Sequence, residues 1–252
     1  MPYGLYLSAE GAYTQSQRLD VLSNNIANVA TPGFKRDVAL FQSRLAQAIQ
    51  EGQAAQGTRG INDLGGGVKV LATATDFSAG PLSQSKNDTD MAINGEGFFL
   101  VRHGNRELLT RAGNFQVTSA GQLVTQDGDP VLSEDHSPIE IDSDAGPWQV
   151  NPDGSISQGG ENTRLALVKP RSLGDLVKVG ENLFSSLAPA QPLADDNRQV
   201  LWHSVEQSTV HPASEMMDLI ETSRAFEANV NMIHTYDSAT ETLINGALRQ
   251  TS

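Results

Sequence analysis

A seven-residue apolar repeat opens the chain, and a second apolar stripe closes it. Leu5, Ala12, Leu19 and Ile26 share one heptad position, and Ser8, Gln15, Leu22 and Val29 fall three residues later. The second half of that seam is fully apolar; Ser8 and Gln15 dilute the first half. A period of seven suits helices that wind around one another. Thr31-Pro32-Gly33 ends the run, because Pro lacks a donor and Gly accepts a positive φ. The spacing predicts a helix from about Leu5 to Ala30. At the other end Leu219, Phe226, Val230, Ile233, Ile244 and Ala247 keep a 3-4 rhythm, with Met216 and Ile220 widening the stripe. Pro212 suits a first helical turn, with His211 or Ser214 near the cap. Such a helix of thirty-odd residues would run about 50 Å, far beyond the usual globular length. Neither stripe can bury itself, so each needs the other or another molecule.

The texture between the ends is different. Gln50 to Gly67 is rich in Gly, Gln and Ala and reads as a flexible connection. Short β-type runs with turn chemistry between them follow: Phe98–Val101, Leu108–Thr110, Phe115–Thr118, Leu123–Thr125, Val131-Leu132, Trp148–Val150 and Leu165–Val168. Asn151-Pro152-Asp153-Gly154 is a turn in which Pro presets φ and Gly takes the left-handed position. Strands at this spacing indicate an antiparallel sandwich or barrel. The expected class is α+β: an antiparallel β-rich centre with N- and C-terminal helices forming a coiled-coil-like assembly domain. The expected divisions are 1–36 (helix and stop), 37–67 (connection), 68–205 (β-rich domain) and 206–252 (second helix).

Composition narrows the function classes. The chain has 17 Lys+Arg against 30 Asp+Glu, a net charge of −13, and no cysteine. That field repels nucleic acid and anionic membranes, and zero Cys excludes disulfides, zinc-thiolate centres and a thiol nucleophile. No stretch approaches the roughly 20 apolar residues of a membrane span, so no membrane insertion is expected. Met1–Leu7 lacks the basic leader and apolar core of a cleavable signal, so export, if any, is expected by another route.

Catalytic patterns are lacking. His103, His136, His203, His211 and His234 are scattered, with no H-E-x-x-H and no i,i+4 pair. No serine sits in a G-x-S-x-G elbow. Asn94-Gly95-Glu96-Gly97 runs into a β-type run rather than a helix, so it reads as a tight turn and not a dinucleotide loop. Between Arg111 and Arg164 no Lys or Arg interrupts a series of carboxylates. These read as a solvated acidic face; Asp142-Ser143-Asp144 starts like a calcium loop but lacks the later ligands. No catalytic, cofactor or metal residues are assigned.

Three separated blocks carry a resemblance. Gln17-Arg18-Leu19-Asp20-Val21-Leu22-Ser23-Asn24-Asn25-Ile26-Ala27-Asn28-Val29-Ala30-Thr31-Pro32-Gly33-Phe34-Lys35-Arg36 resembles the N-terminal signature of the bacterial flagellar rod and hook family. Glu215–Asn229 is similar to its partner helix, and Asp90–Phe99 with Thr110–Phe115 is similar to the opening of its β domain. The length is that of the short rod members rather than the longer hook protein. Leu167–Pro170, Gly180–Phe184 and Val210–Pro212 resemble proximal rod members slightly more than distal ones. Glu206-Gln207-Ser208-Thr209-Val210-His211 departs from the family's step before the last helix.

The resemblance implies a structural, non-enzymatic protein of the basal body. Its terminal helices would build the inner tube of a torque-transmitting rod, and its export would use the flagellar type III machinery, with the ends disordered until assembly. The implied partners are other rod and hook proteins and further copies of the chain. The implied interface comprises Leu5, Leu19, Leu22, Asn24, Asn25, Ile26, Asn28, Val29, Thr31, Gly33, Phe34, Met216, Leu219, Ile220, Arg224, Phe226, Val230 and Ile233. Polar Asn24, Asn25 and Asn28 beside an apolar seam would fix register. The residues alone leave open an intramolecular two-helix coil, a soluble binding module using its acidic face on a basic partner or cation, and an enzyme with a site in the β domain.

Overall fold

In a computed structural model of the chain, residues 3–43, 68–142 and 145–250 are described. The 44–67 part of the expected connection and the Ser143-Asp144 part of the calcium-like run lie outside them, as does the side chain of Ala247. The chain divides into two compact units. One holds 1–27, 37–74 and 211–252, and the other 28–36 and 75–210.

The first unit is an antiparallel helix pair, α1 (Tyr3–Ala27) and α2 (Pro212–Gln250), with a two-stranded ribbon of β1 (Asp37–Ser43) and β2 (Val68–Thr75). α1 stops at Ala27, three residues before the predicted end. Asn28 takes the terminal role: its backbone carbonyl accepts from the Thr31 N–H (3.2 Å) and its side-chain carbonyl from the Thr31 hydroxyl (3.2 Å). α2 starts at Pro212, where the missing N–H costs nothing. The Ser214 hydroxyl donates to the His211 carbonyl (2.9 Å) and does not cap an amide. Residues 37–43, expected to begin the connection, form β1.

The helices meet at steps of seven. A Cβ on Gly4 would lie 2.1 Å from Tyr236 Oη, and one on Gly11 2.9 Å from Asn229 Oδ1. Arg18 pairs with Asp218 (3.8 Å), and Asn25 Nδ2 donates to Glu215 Oε2 (3.2 Å). Small residues thus set the close approach in the first half, and polar bonds set register in the second. Apolar burial is thin. Among the described side chains of this unit only Ala12 and Leu22 are buried hydrophobics. No described helix is long and apolar enough to cross a membrane.

The second unit holds the core. Its strands are β3 (Leu82–Gln84), β4 (Met91–Ile93), β5 (Phe98–His103), β6 (Arg106–Thr110), β7 (Gln116–Val117), β8 (Leu123–Val124), β9 (Trp148–Val150), β10 (Ser155–Gln158), β11 (Glu161–Arg164), β12 (Leu167–Lys169), β13 (Leu176–Gly180), β14 (Leu183–Ser186), β15 (Gln191–Pro192), β16 (Val200–Trp202) and β17 (Ser204–Glu206). An antiparallel sheet in the order β13-β14-β6-β5-β12-β15 is its largest element, and short ribbons β16-β4, β17-β3 and β7-β8 and the three strands β11-β10-β9 surround it. Alternate residues of β5 enter different cores: Phe99 and Val101 pack with Leu108, Phe115 and Leu165, while Phe98 and Leu100 pack with Leu109, Leu132 and Phe184. Both faces of the sheet are therefore covered, which explains why β5 reads as a continuous apolar run. Val131-Leu132 makes only isolated bridges, to Val101 and Pro138.

Gly113 marks the tightest backbone crossing. The Met91 N–H donates to its carbonyl (2.9 Å), and a Cβ there would lie 1.6 Å from the Met91 carbonyl oxygen. Gly113→Ala is expected to destabilise the β unit by about 1–3 kcal/mol, the usual range for overpacking, read as a lowered midpoint in urea unfolding.

Candidate functional site

Residues from three distant parts of the chain, two of them in blocks that carry the family resemblance, meet inside the β unit on one carboxylate. Glu206 ends β17 and is 2% exposed. Its Oε1 accepts from Lys35 Nζ (2.6 Å) and the Gly80 N–H (2.8 Å), and its Oε2 from Arg111 Nη1 (3.2 Å). Lys35, 1% exposed, also donates to the Ser78 carbonyl (2.6 Å). Arg111 donates to the carbonyls of Ile93 (3.2 Å) and Gly95, and its guanidinium lies 5.3 Å from the Phe98 ring centre. Its Nε is buried without a hydrogen-bond partner. Two cations thus share one anion in a space from which water is excluded.

Backbone bonds close the clasp around this triad. The Gly33 N–H donates to the Glu206 carbonyl (2.7 Å), the Thr209 N–H to the Phe34 carbonyl (3.1 Å) and the Arg36 N–H to Thr209 Oγ1 (2.9 Å). Gly33 has φ +70, and a Cβ there would sit 2.4 Å from the Ala112 nitrogen. Only glycine fits that crossing without strain. Phe34 is buried under Lys178, whose Nζ lies 4.0 Å from the ring centre. Segment 28–36 is therefore integral to the β unit, tied to the residues that lead out to α2.

In the helical unit Asn25 makes a second clasp. It is fully buried; its Oδ1 accepts from the Asp37 N–H (2.9 Å) and its Nδ2 donates to the Asp37 carbonyl (2.8 Å). The side-chain amide pairs with Asp37 as a strand residue would, which fixes where β1 leaves α1.

The other residues singled out from sequence fall in three groups. Leu22, Gly33 and Phe34 are buried; Leu5, Leu19, Ile26, Asn28, Val29, Thr31, Leu219, Phe226, Val230 and Ile233 are half-buried; Asn24, Met216, Ile220 and Arg224 are exposed. Sequence reasoning missed Lys35, Arg111 and Glu206. Arg111 offered a signal, as the single charge in Thr110–Phe115; Lys35 and Glu206 offered none.

Burial pushes the Lys35 ammonium below its ordinary value, against the opposing pull of Glu206, and burial likewise lowers Arg111. The unfolded chain therefore holds more protons than the folded one between the lowered Lys35 value and 10.5. Stability gains as pH rises through that window and is lost as pH falls through the lowered value. This rise should vanish from Lys35→Met when unfolding free energies are compared across alkaline pH. Glu206→Ala, which strands two buried cations, is expected to cost about 3–5 kcal/mol, read by denaturant unfolding of the β unit.

Residues 5–35 match the family described as flagella basal body rod protein, 92–158 the flagellar hook protein FlgE/F/G D1 domain, and 203–246 the flagellar basal body rod FlgEFG protein C-terminal family. The chain is 34% identical to the flagellar basal-body rod protein FlgF of Caulobacter vibrioides, over 92% of this chain and 93% of that protein. It is 33% identical to FlgG of Buchnera aphidicola subsp. Schizaphis graminum, over 95% and 97%. With FlgG of Bacillus subtilis it shares 30%, over 96% and 97%. The clasp joins parts of all three matched regions or their immediate flanks, and the chain belongs to the flagellar basal-body rod and hook protein family, a structural and non-enzymatic one.

Proposed function

We propose that this chain is an axial component of the flagellar rod, polymerising through its terminal helices into a tube that transmits torque, and that it occupies the proximal position. The observation that carries the reading is the surface of the helix pair. Met216, Met217 and Ile220 are 54%, 66% and 52% exposed, and Tyr13, Leu243 and Ile244 are 62%, 74% and 55% exposed. A helix pair that buries so little within one chain and exposes so much has its stabilising surface in reserve for neighbours. Contacts of this kind that do not close into a ring build filaments.

The partners in this reading are other rod and hook proteins and further copies of the chain, and delivery is by the flagellar type III export machinery. Thin burial in the helical unit supports such delivery, since a unit with few buried apolar groups opens at low free energy. The proximal assignment rests on Leu167–Pro170, Gly180–Phe184 and Val210–Pro212.

Ile220→Asp places a charge on the exposed stripe and leaves the folded monomer's melting temperature nearly unchanged, yet it should abolish swimming and rod incorporation. Asp135→Asn, on the exposed acidic loop, should swim normally. Motile Ile220→Asp cells with intact rods would overturn the assembly reading. For the proximal position, the gene should restore motility to cells lacking the proximal rod protein and not to cells lacking the distal one; the reverse pattern moves it to the distal rod. Limited proteolysis of dilute monomer should trim both ends toward roughly residues 28–210, the limits of the better-packed β unit.

A further inference from the structure

Three side chains far apart in sequence meet on the β unit in a way the rod reading does not use. His103 ends β5, Asp129 lies in the turn before Pro130, and Glu181 sits in the turn between β13 and β14. One ligand atom from each lies within 4.8 Å of the others. His103 Nδ1 is 3.0 Å from both Asp129 oxygens, so neither oxygen has a hydrogen-bonding proton to itself. Asp129 is 8% exposed, and its ion pair among the described residues is with this imidazole. The imidazole and the two carboxylates thus bring three metal-ligating atoms to one point.

Each ligand is held by the fold. The Thr125 N–H donates to the Asp129 carbonyl (2.8 Å) and the Asp129 N–H to Thr125 Oγ1 (3.1 Å), which fixes its turn. Beside Glu181, the Asn182 carbonyl accepts from Thr110 Oγ1 (3.0 Å) and its Nδ2 donates to the Pro32 carbonyl (3.1 Å). Glu181 itself is exposed, so its carboxylate closes on an ion without breaking packing.

We infer that His103, Asp129 and Glu181 form a binding site for one divalent transition-metal cation of the zinc type. One imidazole nitrogen with two carboxylates is a borderline donor set, suited to zinc and poor for calcium, which takes six to eight oxygens. Two carboxylates also neutralise a dipositive ion. Three protein ligands leave a coordination position for water or for a group on a neighbouring molecule. Bound metal would fasten the end of β5 and two turns together.

Calorimetric titration of the untagged full chain with zinc chloride tests the site, with calcium chloride as the comparison. One-to-one zinc binding in the micromolar range is expected, with calcium far weaker. His103→Gln and Glu181→Gln should each weaken zinc binding by at least the roughly 10–100-fold that loss of even an outer-shell partner costs. His136→Gln, which disrupts the separate His136–Glu107 pair (2.9 Å), should bind as the parent does. Glu181→Gln alters only an exposed side chain, so its metal-free melting temperature should match the parent and exclude misfolding as the cause. Absent zinc binding, equal affinity for calcium, undiminished affinity in His103→Gln or Glu181→Gln, or loss in His136→Gln would each overturn the assignment.

Discussion

One buried carboxylate organises the β unit. Glu206 holds Lys35 and Arg111 at 2.6 and 3.2 Å where water cannot compensate any of them. Such a group gives little net stability over well-packed apolar side chains, but it is intolerant of partial assembly, because a missing partner leaves a charge stranded. The arrangement therefore acts on uniqueness more than on strength. Segment 28–36, the Thr110–Gly113 crossing and the end of β17 have one mutual position that satisfies all the charges, and Gly33 and Gly113 permit the close backbone passages that this position demands.

The helical unit follows a different rule. Its heptad steps place Gly4 and Gly11 against Tyr236 and Asn229, and Asn25 against Glu215, so register is set by small and polar residues while the larger apolar groups are left outside. Ser8, read as a dilution of the apolar seam, is itself buried, and Gln15 Oε1 is buried without a partner. What looked from sequence like a weak half of a coiled coil is the half where the Tyr236 and Asn229 side chains pack directly on glycine. Of the predicted seam, Ala12 and Leu22 are buried within the chain, while Leu5, Leu19 and Ile26 remain half-buried.

The terminal helices and most central strands were legible because their signals are local. A period of seven, a Thr-Pro-Gly stop and apolar runs between turns can be read without knowing what packs where. β13 and β15 carry no fully buried side chain and β15 and β17 are only two and three residues long, so their runs have no clear alternation. β1 is likewise defined by Asn25 and by β2 across a long intervening stretch, and not by its own composition. The clasp and the His103, Asp129 and Glu181 cluster were illegible for the same reason. Lys35 and Glu206 stand 171 positions apart, and a spacing rule has no purchase on a pairing made by topology.

That separation also sets an order in time. The residue that neutralises both cations comes 171 positions after Lys35 and 95 after Arg111, so a chain made from its N-terminus keeps both in water until Glu206 has emerged. Closing a loop of that span is entropically slow and is rewarded only at the last step. The β unit therefore locks only once its final strand is free, and then has every reason to fold as a whole.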